Sequence, residues 1–246
     1  VLSTNGSGTL SWASTGASSL GAMSDGLSEN SSLWLGNDPS STTSTAEYNI
    51  AVGTTALSAI TTGDYNTALG YFSLRALTTG SKNTALGSST LSYNTTGSYN
   101  LALGMNSLNA NTTGTRNIAI GYDALGSPDT ENDNLAIGYE ALKGSIAGGE
   151  FNVAIGNYSL DANTTGDDNV SVGYNSLTAN TTGKENSAIG SGSLKNNTTG
   201  SYNSALGNAA LYANTTGEYN NAVGDVALYN NTTGDFNIAT GNNALH

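Results

Sequence analysis

The sequence predicts an all-β protein, a parallel β-solenoid of 17-residue coils. A unit with the consensus N-x-A-[ILV]-G-x-x-[AS]-L-x-x-N-T-T-G-x-x recurs to the C-terminus. Its copies open at Asn49, Asn66, Asn83, Asn100, Asn117, Asn134, Asn152, Asn169, Asn186, Asn203, Asn220 and Asn237. A fixed short period implies identical supersecondary units stacked on one another. The unit also carries glycine at its fifth position in every copy, from Gly53 to Gly241, and an Asn-Thr-Thr tract in most. These are weak helix formers, while the stretch before Gly is rich in β-branched and aliphatic residues, as a short strand requires.

The elements follow in order. Residues 1–31 read as an N-terminal cap or junction, with a strand at Thr9 to Trp12. A solenoid needs such a cap because its end strands are otherwise unpaired. Residues 32–48 read as a degenerate first coil, because Ser32, Leu33, Trp34, Leu35 and Gly36 fit the first five positions, with Trp34 in the Ala slot. Residues 49–246 form the twelve-copy repeat domain, whose last copy stops on His246, its tenth position. That truncated copy leaves the expectation of further chain or another domain.

Within a unit, N-x-A-I-G reads as a strand closed by a turn, x-A-L-x as a second short strand, and T-T-G as a return turn whose Gly supplies positive φ. Coils stacked about 4.8 Å apart make a rod of roughly 58 Å. The invariant Asn is expected to form an amide ladder between coils. Alternation places the aliphatic fourth position in the core, with Leu101, Ile118, Leu135, Val153 and Val170 of the second position beside it. The Ala of the third position then faces outward, as if against another chain. One aliphatic residue and one Leu per coil make a thin core, which also points to assembly, most simply a parallel homotrimer.

Composition narrows the function. The net charge is −12, and the six basic residues are scattered. Nucleic acid and anionic membranes both require clustered Lys and Arg, so neither is an expected partner. There is no cysteine, hence no disulfide scaffold. No apolar run approaches the roughly 20 residues of a membrane span, and the start, VLSTNGSGTL, lacks the pattern of a signal peptide. No cofactor motif and no catalytic residues are expected. The only His is His246, and the adjacent carboxylates Asp167 and Asp168 should point apart.

The repeat falters in two neighbouring turns, after Leu125 and after Leu142, the second with one inserted residue. They gather Asp129, Glu131, Asp133 and Glu150 into weak candidates for a cation site. Solvated acidic loops are the alternative, and no calcium-loop motif is present. Exposed aromatics recur at the sixth and seventeenth positions. Tyr71, Tyr122, Tyr139, Tyr174, Tyr202 and Tyr219 are candidates for stacking on sugar rings, the alternative being that they cover the thin core or fill a groove between chains. N-T-T also matches the glycosylation sequon at Asn94, Asn111 and Asn163, here a by-product of the turn.

The strand motif, as in Asn117-Ile-Ala-Ile-Gly121, resembles the repeated head motif of trimeric autotransporter adhesins. The longer unit, as in Asn203 to Gly217, is similar to repeats of phage tail-fibre and related trimeric fibre proteins. The resemblance spans about residues 32–246 and implies a left-handed β-roll, one per chain of a homotrimer. It also implies an extracellular place, on a virion tail fibre or a bacterial cell-surface fibre. The implied function is structural and adhesive: attachment to a host cell surface by multivalent contact with a glycan or protein receptor. Two rival functions stay in view. An ice-binding solenoid would use the regular Thr rows, and a glycan-degrading β-helix enzyme would use paired carboxylates at defined separation.

Overall fold

The structure, a computed structural model, describes residues 2–4, 10–12, 26–29, 31–36, 45–127, 130–145 and 148–246. Strands β1 (Leu2–Thr4) and β2 (Leu10–Trp12) pair antiparallel, and most of the remaining N-terminal segment lies outside the described residues. Strand β3 (Gly26–Glu29) pairs antiparallel with β4 (Ser32–Leu35). From β4 onward each strand pairs in parallel with the next. The series runs β5 (Ile50–Val52), β6 (Thr67–Leu69), β7 (Thr84–Leu86), β8 (Leu101–Leu103), β9 (Ile118–Ile120) and β10 (Leu135–Ile137). It continues through β11 (Val153–Ile155), β12 (Val170–Val172), β13 (Ser187–Ile189), β14 (Ser204–Leu206), β15 (Asn221–Val223) and β16 (Ile238–Thr240). No helix occurs among the described residues.

The coils stack in register. Ala119, Ala136 and Ala154 are successive partners, so the residue inserted between Leu142 and Phe151 is taken up by the turn and not by the sheet. In β4, Trp34 faces Ala51 and is fully buried, so the Ala column begins on an indole.

The strand faces the opposite way from the expected alternation. A three-residue strand turns only its middle residue inward. Ala51, Ala68, Ala85, Ala102, Ala119, Ala136 and Ala154 are at most 1 % exposed, whereas Ile50 is 46 % and Leu206 is 48 % exposed. The second and fourth positions therefore form an outward aliphatic face, and the Ala column is the inner wall. The reason is space. The invariant Leu fills the coil, with Leu57, Leu74, Leu91, Leu108, Leu125, Leu142, Leu160, Leu177 and Leu194 all at 0 % exposure in one core with the alanines. The strand that faces it has room for a methyl group.

The second expected strand is absent. Positions six to eleven run as consecutive turns, with positions seven and nine left-handed, as at Phe72 (φ 59°) and Leu74 (φ 48°). Each such residue costs on the order of 1–2 kcal/mol. Bonds between coils hold them, such as Leu74 N–H to the Thr90 carbonyl at 3.0 Å and Leu177 N–H to that of Ser193 at 3.0 Å. The glycine of T-T-G also has a different duty. The positive φ sits at position five, as at Gly173 (φ +142°), where an added Cβ would lie 2.6 Å from the Gly190 carbonyl carbon. At Gly183 of the T-T-G turn the obstacle is contact alone, because a Cβ would run into the Gly200 carbonyl of the next coil.

Two amide ladders run up the interior. At position one, Asn169 Oδ1 accepts from the backbone N–H of Asn186 (3.1 Å) and from its Nδ2 (3.2 Å). Asn169 Nδ2 donates to Asn152 Oδ1 (3.2 Å) and to the Gly183 carbonyl (2.9 Å). The pattern recurs from Asn49 to Asn237. At position twelve, Asn180, Asn197 and Asn214 each donate to the Asn one coil before and to the Gly of their own turn. Replacing Asn169 by Ala strands a buried N–H and a buried carbonyl, each costing about 1–3 kcal/mol. The expected loss is about 3 kcal/mol, read as a lowered denaturant midpoint. An unchanged midpoint would show that the ladder adds nothing to stability.

Candidate functional site

Because every coil repeats the last, residues seventeen apart form columns along the rod. The columns of positions seventeen and six flank the two margins of the outward strand face. The six candidate tyrosines fall into three groups. Tyr202 and Tyr219 stack at 4.7 Å and 3°, and Phe236 continues the stack at 5.0 Å and 2°. These separations match the rise of a coil, so coil stacking itself imposes the ring stack. On the other margin Tyr122 stacks on Tyr139 at 5.2 Å. Tyr158 then meets Tyr139 and Tyr174 edge-on, at 5.4 Å and 6.2 Å. Tyr71 stands apart, packed on Phe72 at 3.8 Å, with the Arg75 guanidinium over Phe72 and Tyr93.

Sequence reasoning missed a third column, at position ten. Tyr212 stacks on Tyr229 at 5.0 Å and 7°, and the Lys195 ammonium lies 5.5 Å from the centre of the Tyr212 ring. Aligning positions seven and ten by the period would have exposed this column and Tyr158. Between Tyr174 and Tyr212 lies a hollow of about 260 Å³, lined also by Asn175, Ser191, Gly192, Lys195, Asn208 and Ala209.

The acidic candidates do not converge on a point. Asp129 lies outside the described residues. Glu131 occupies the slot of the T-T-G glycine and is almost buried. Its carboxylate accepts from the N–H groups of Gly148 and Thr130. Asp133 pairs with Arg116 at 2.6 Å, and this hydrogen bond holds its carboxyl below the usual range. Glu150 accepts from Asn132 Nδ2 at 2.7 Å. Asp167 pairs with Lys184 and also accepts from Glu150 N–H, while Asp168 takes the left-handed seventeenth position, so the two carboxylates are held differently. Among the described residues no group of three or more His, Cys, Asp or Glu could hold a metal ion.

Hydroxyl and amide groups are similarly committed. In the pairs that open at Thr61, Thr78, Thr95, Thr164, Thr181, Thr198 and Thr215 the first Thr donates to the next coil's carbonyl, as Thr181 does to Thr198 at 3.0 Å, which leaves one exposed Thr rank. The sequon residues Asn94, Asn111 and Asn163 are fully buried, so folded coils offer no amide for glycosylation.

No protein-family model, curated protein or solved structure matches this chain.

One carboxyl is poorly served. Asp161 Oδ1 is buried without a hydrogen-bond partner among the described residues. Burial pushes its pKa up from 3.8 to about 6, opposed by a hydrogen bond from its own backbone N–H and by Lys143 and reinforced by Glu140. The fold thus favours the protonated acid. Its contribution to stability is present at low pH and is lost as pH rises from about 4 through 6. Asp161→Asn is expected to raise the unfolding midpoint at pH 7.5, by on the order of 1–2 kcal/mol once its partial exposure is allowed for. The gain should vanish near pH 4; denaturant curves at the two pH values check it.

Proposed function

We propose that this chain forms the rigid, surface-attaching shaft of an extracellular trimeric fibre, carried on a virion tail or a bacterial cell surface. Three parallel copies contact a host-cell receptor many times over. The observation that carries the reading is the outward strand face. Its fourth position is aliphatic from Val52 to Val223, and Leu69, Leu86, Leu103, Ile189 and Leu206 in it are 38 % to 48 % exposed. Twelve three-residue strands present a face of roughly 600 Å², apolar along its fourth position from Val52 to Val223 and interrupted by polar residues along its second. The largest apolar patch on a typical monomer is about 300–600 Å². An apolar strip within that range, continuous along the rod, favours assembly.

The face accommodates parallel copies, the arrangement that the resemblance to trimeric fibre repeats implies. Its second position is aliphatic from Leu101 to Val170 but polar at Thr67, Thr84, Ser187, Ser204 and Asn221. Rotation about an axis along the rod sets each height against itself, matching the aliphatic stretch to its own copy. The number three and a left-handed coil follow from the resemblance to trimeric fibre repeats. Such a rod needs no strong single contact, because repeated units and three chains raise the effective concentration of each further contact. Ice contact is the weaker reading, since half of the Thr hydroxyls are spent within the rod.

Light scattering on the purified chain should give three times its 24.8 kDa mass. The triple variant Leu103→Asp, Ile120→Asp, Ile137→Asp should be a monomer with an unchanged circular dichroism spectrum. A monomeric parent chain would overturn the assembly. Failure of the labelled chain to coat any host cell would overturn attachment.

A further inference from the structure

We propose that the hollow over Gly192 and Ala209 is a subsite for a single carboxylate-bearing sugar; this deepens the attachment reading and rests on it. The hollow is a gap in a column. At position seven the coils carry Thr55, Phe72, Ser89, Asn106, Asp123, Glu140, Tyr158 and Asn175, then Gly192 and Ala209, then Val226 and Asn243. Two adjacent coils thus lack all but a methyl group where the others fill the surface.

The fold does not demand glycine at 192. Its φ of +65° is that of its column, and Asn175 at 54° and Ala209 at 52° show that this backbone accepts a side chain. Nor does packing exclude one, because an added Cβ would meet only the Tyr212 ring, at an ordinary 3.7 Å. This sets Gly192 apart from Gly173 and Gly183, where neighbouring backbone bars a Cβ. What Gly192 does is keep the hollow open.

The lining specifies the ligand. The aromatic run Tyr122, Tyr139, Tyr158, Tyr174 ends at the hollow, where the next coil carries Ser191 and Gly192. Tyr174 is 55 % exposed and, among the described residues, touches no ring on that side. An unstacked phenol ring suits the apolar C–H face of a sugar. The Asn175 side chain makes no hydrogen bond among the described residues, and Asn208 donates only to the Ser191 carbonyl, at 3.2 Å. Both amides can serve ring hydroxyls. Lys195, unlike Arg116, Lys143 and Lys184, has no carboxylate partner among the described residues. Arg75 and Lys82 also lack one, but of these three cations Lys195 is the one that lines the hollow, where it can meet an anionic group. Asp225 lies one coil beyond Asn208 in the same column, so the carboxylate belongs at the Lys195 end. A volume of about 260 Å³ falls below the ~300 Å³ where sites for larger ligands begin, which suits one ring.

The test is saturation-transfer NMR on the full chain with three methyl glycosides, of N-acetylneuraminic acid, glucuronic acid and glucose. Binding of either acidic sugar with a millimolar Kd supports the subsite, and the stronger of the two names the source of the carboxylate. Gly192→Asn, which installs the residue that Asn175 carries in the same left-handed conformation, should weaken binding at least tenfold while the circular dichroism spectrum stays that of the parent. Lys195→Gln should weaken the acidic sugars about tenfold and leave the neutral one unaffected. Equal binding by Gly192→Asn, or neutral glucoside binding as tightly as the acids, overturns the proposal. So does silence of all three sugars while the chain still coats cells, a result that leaves attachment standing. Failure of the parent chain to coat cells overturns the attachment reading itself.

Discussion

The structure depends on the amide of one asparagine per coil. Its carbonyl receives the backbone and side-chain N–H of the next coil's Asn, and its own N–H reaches the T-T-G glycine across the coil. A three-residue strand offers few ladder bonds, and one Leu with one Ala offers little buried apolar surface. The ladder supplies what both lack: buried polar groups that are satisfied only when the coils sit in register. Register in turn creates the columns. Stacked tyrosines, the Thr row and the outward aliphatic face all follow from coils that cannot slip.

Much of this was legible in the residues and some was not. The period, the strand and the Asn ladder were readable, because each is a repeated residue type with one physical use. The facing of the strand was not. Positions three and four are both apolar, so alternation alone allows either phase. What decides it is Leu in a left-handed conformation at position nine, which Leu ordinarily avoids and which bonding between coils sustains. The two glycines look alike in sequence, yet one serves positive φ and the other close approach. In the candidate site, the tyrosines could be recognised as exposed. Their division into separate columns needed the coil geometry, and the hollow is marked only by Gly192 at a position that varies anyway.

The strand's orientation puts aliphatic residues, and not alanines, on the outer face. A row of small residues facing outward is an ambiguous signal. A row of aliphatic residues from Val52 to Val223 is a physical reason for association, because water must be removed from it. The same orientation separates the duties of the surface. The strand face carries the aliphatic row, its two margins carry aromatic columns, and the turn corner holds the acidic irregularities.

The extra residue between Leu142 and Phe151 shows where such a rod tolerates a change in length. The turn absorbs it, the Glu131 carboxylate accepts from Gly148 N–H, and β10 and β11 still pair residue for residue. Length variation is therefore cheap at that corner and ruinous within the strand. A loop placed there is displayed on a frame whose spacing stays constant, so the coil stack can carry a change of surface chemistry without a new fold.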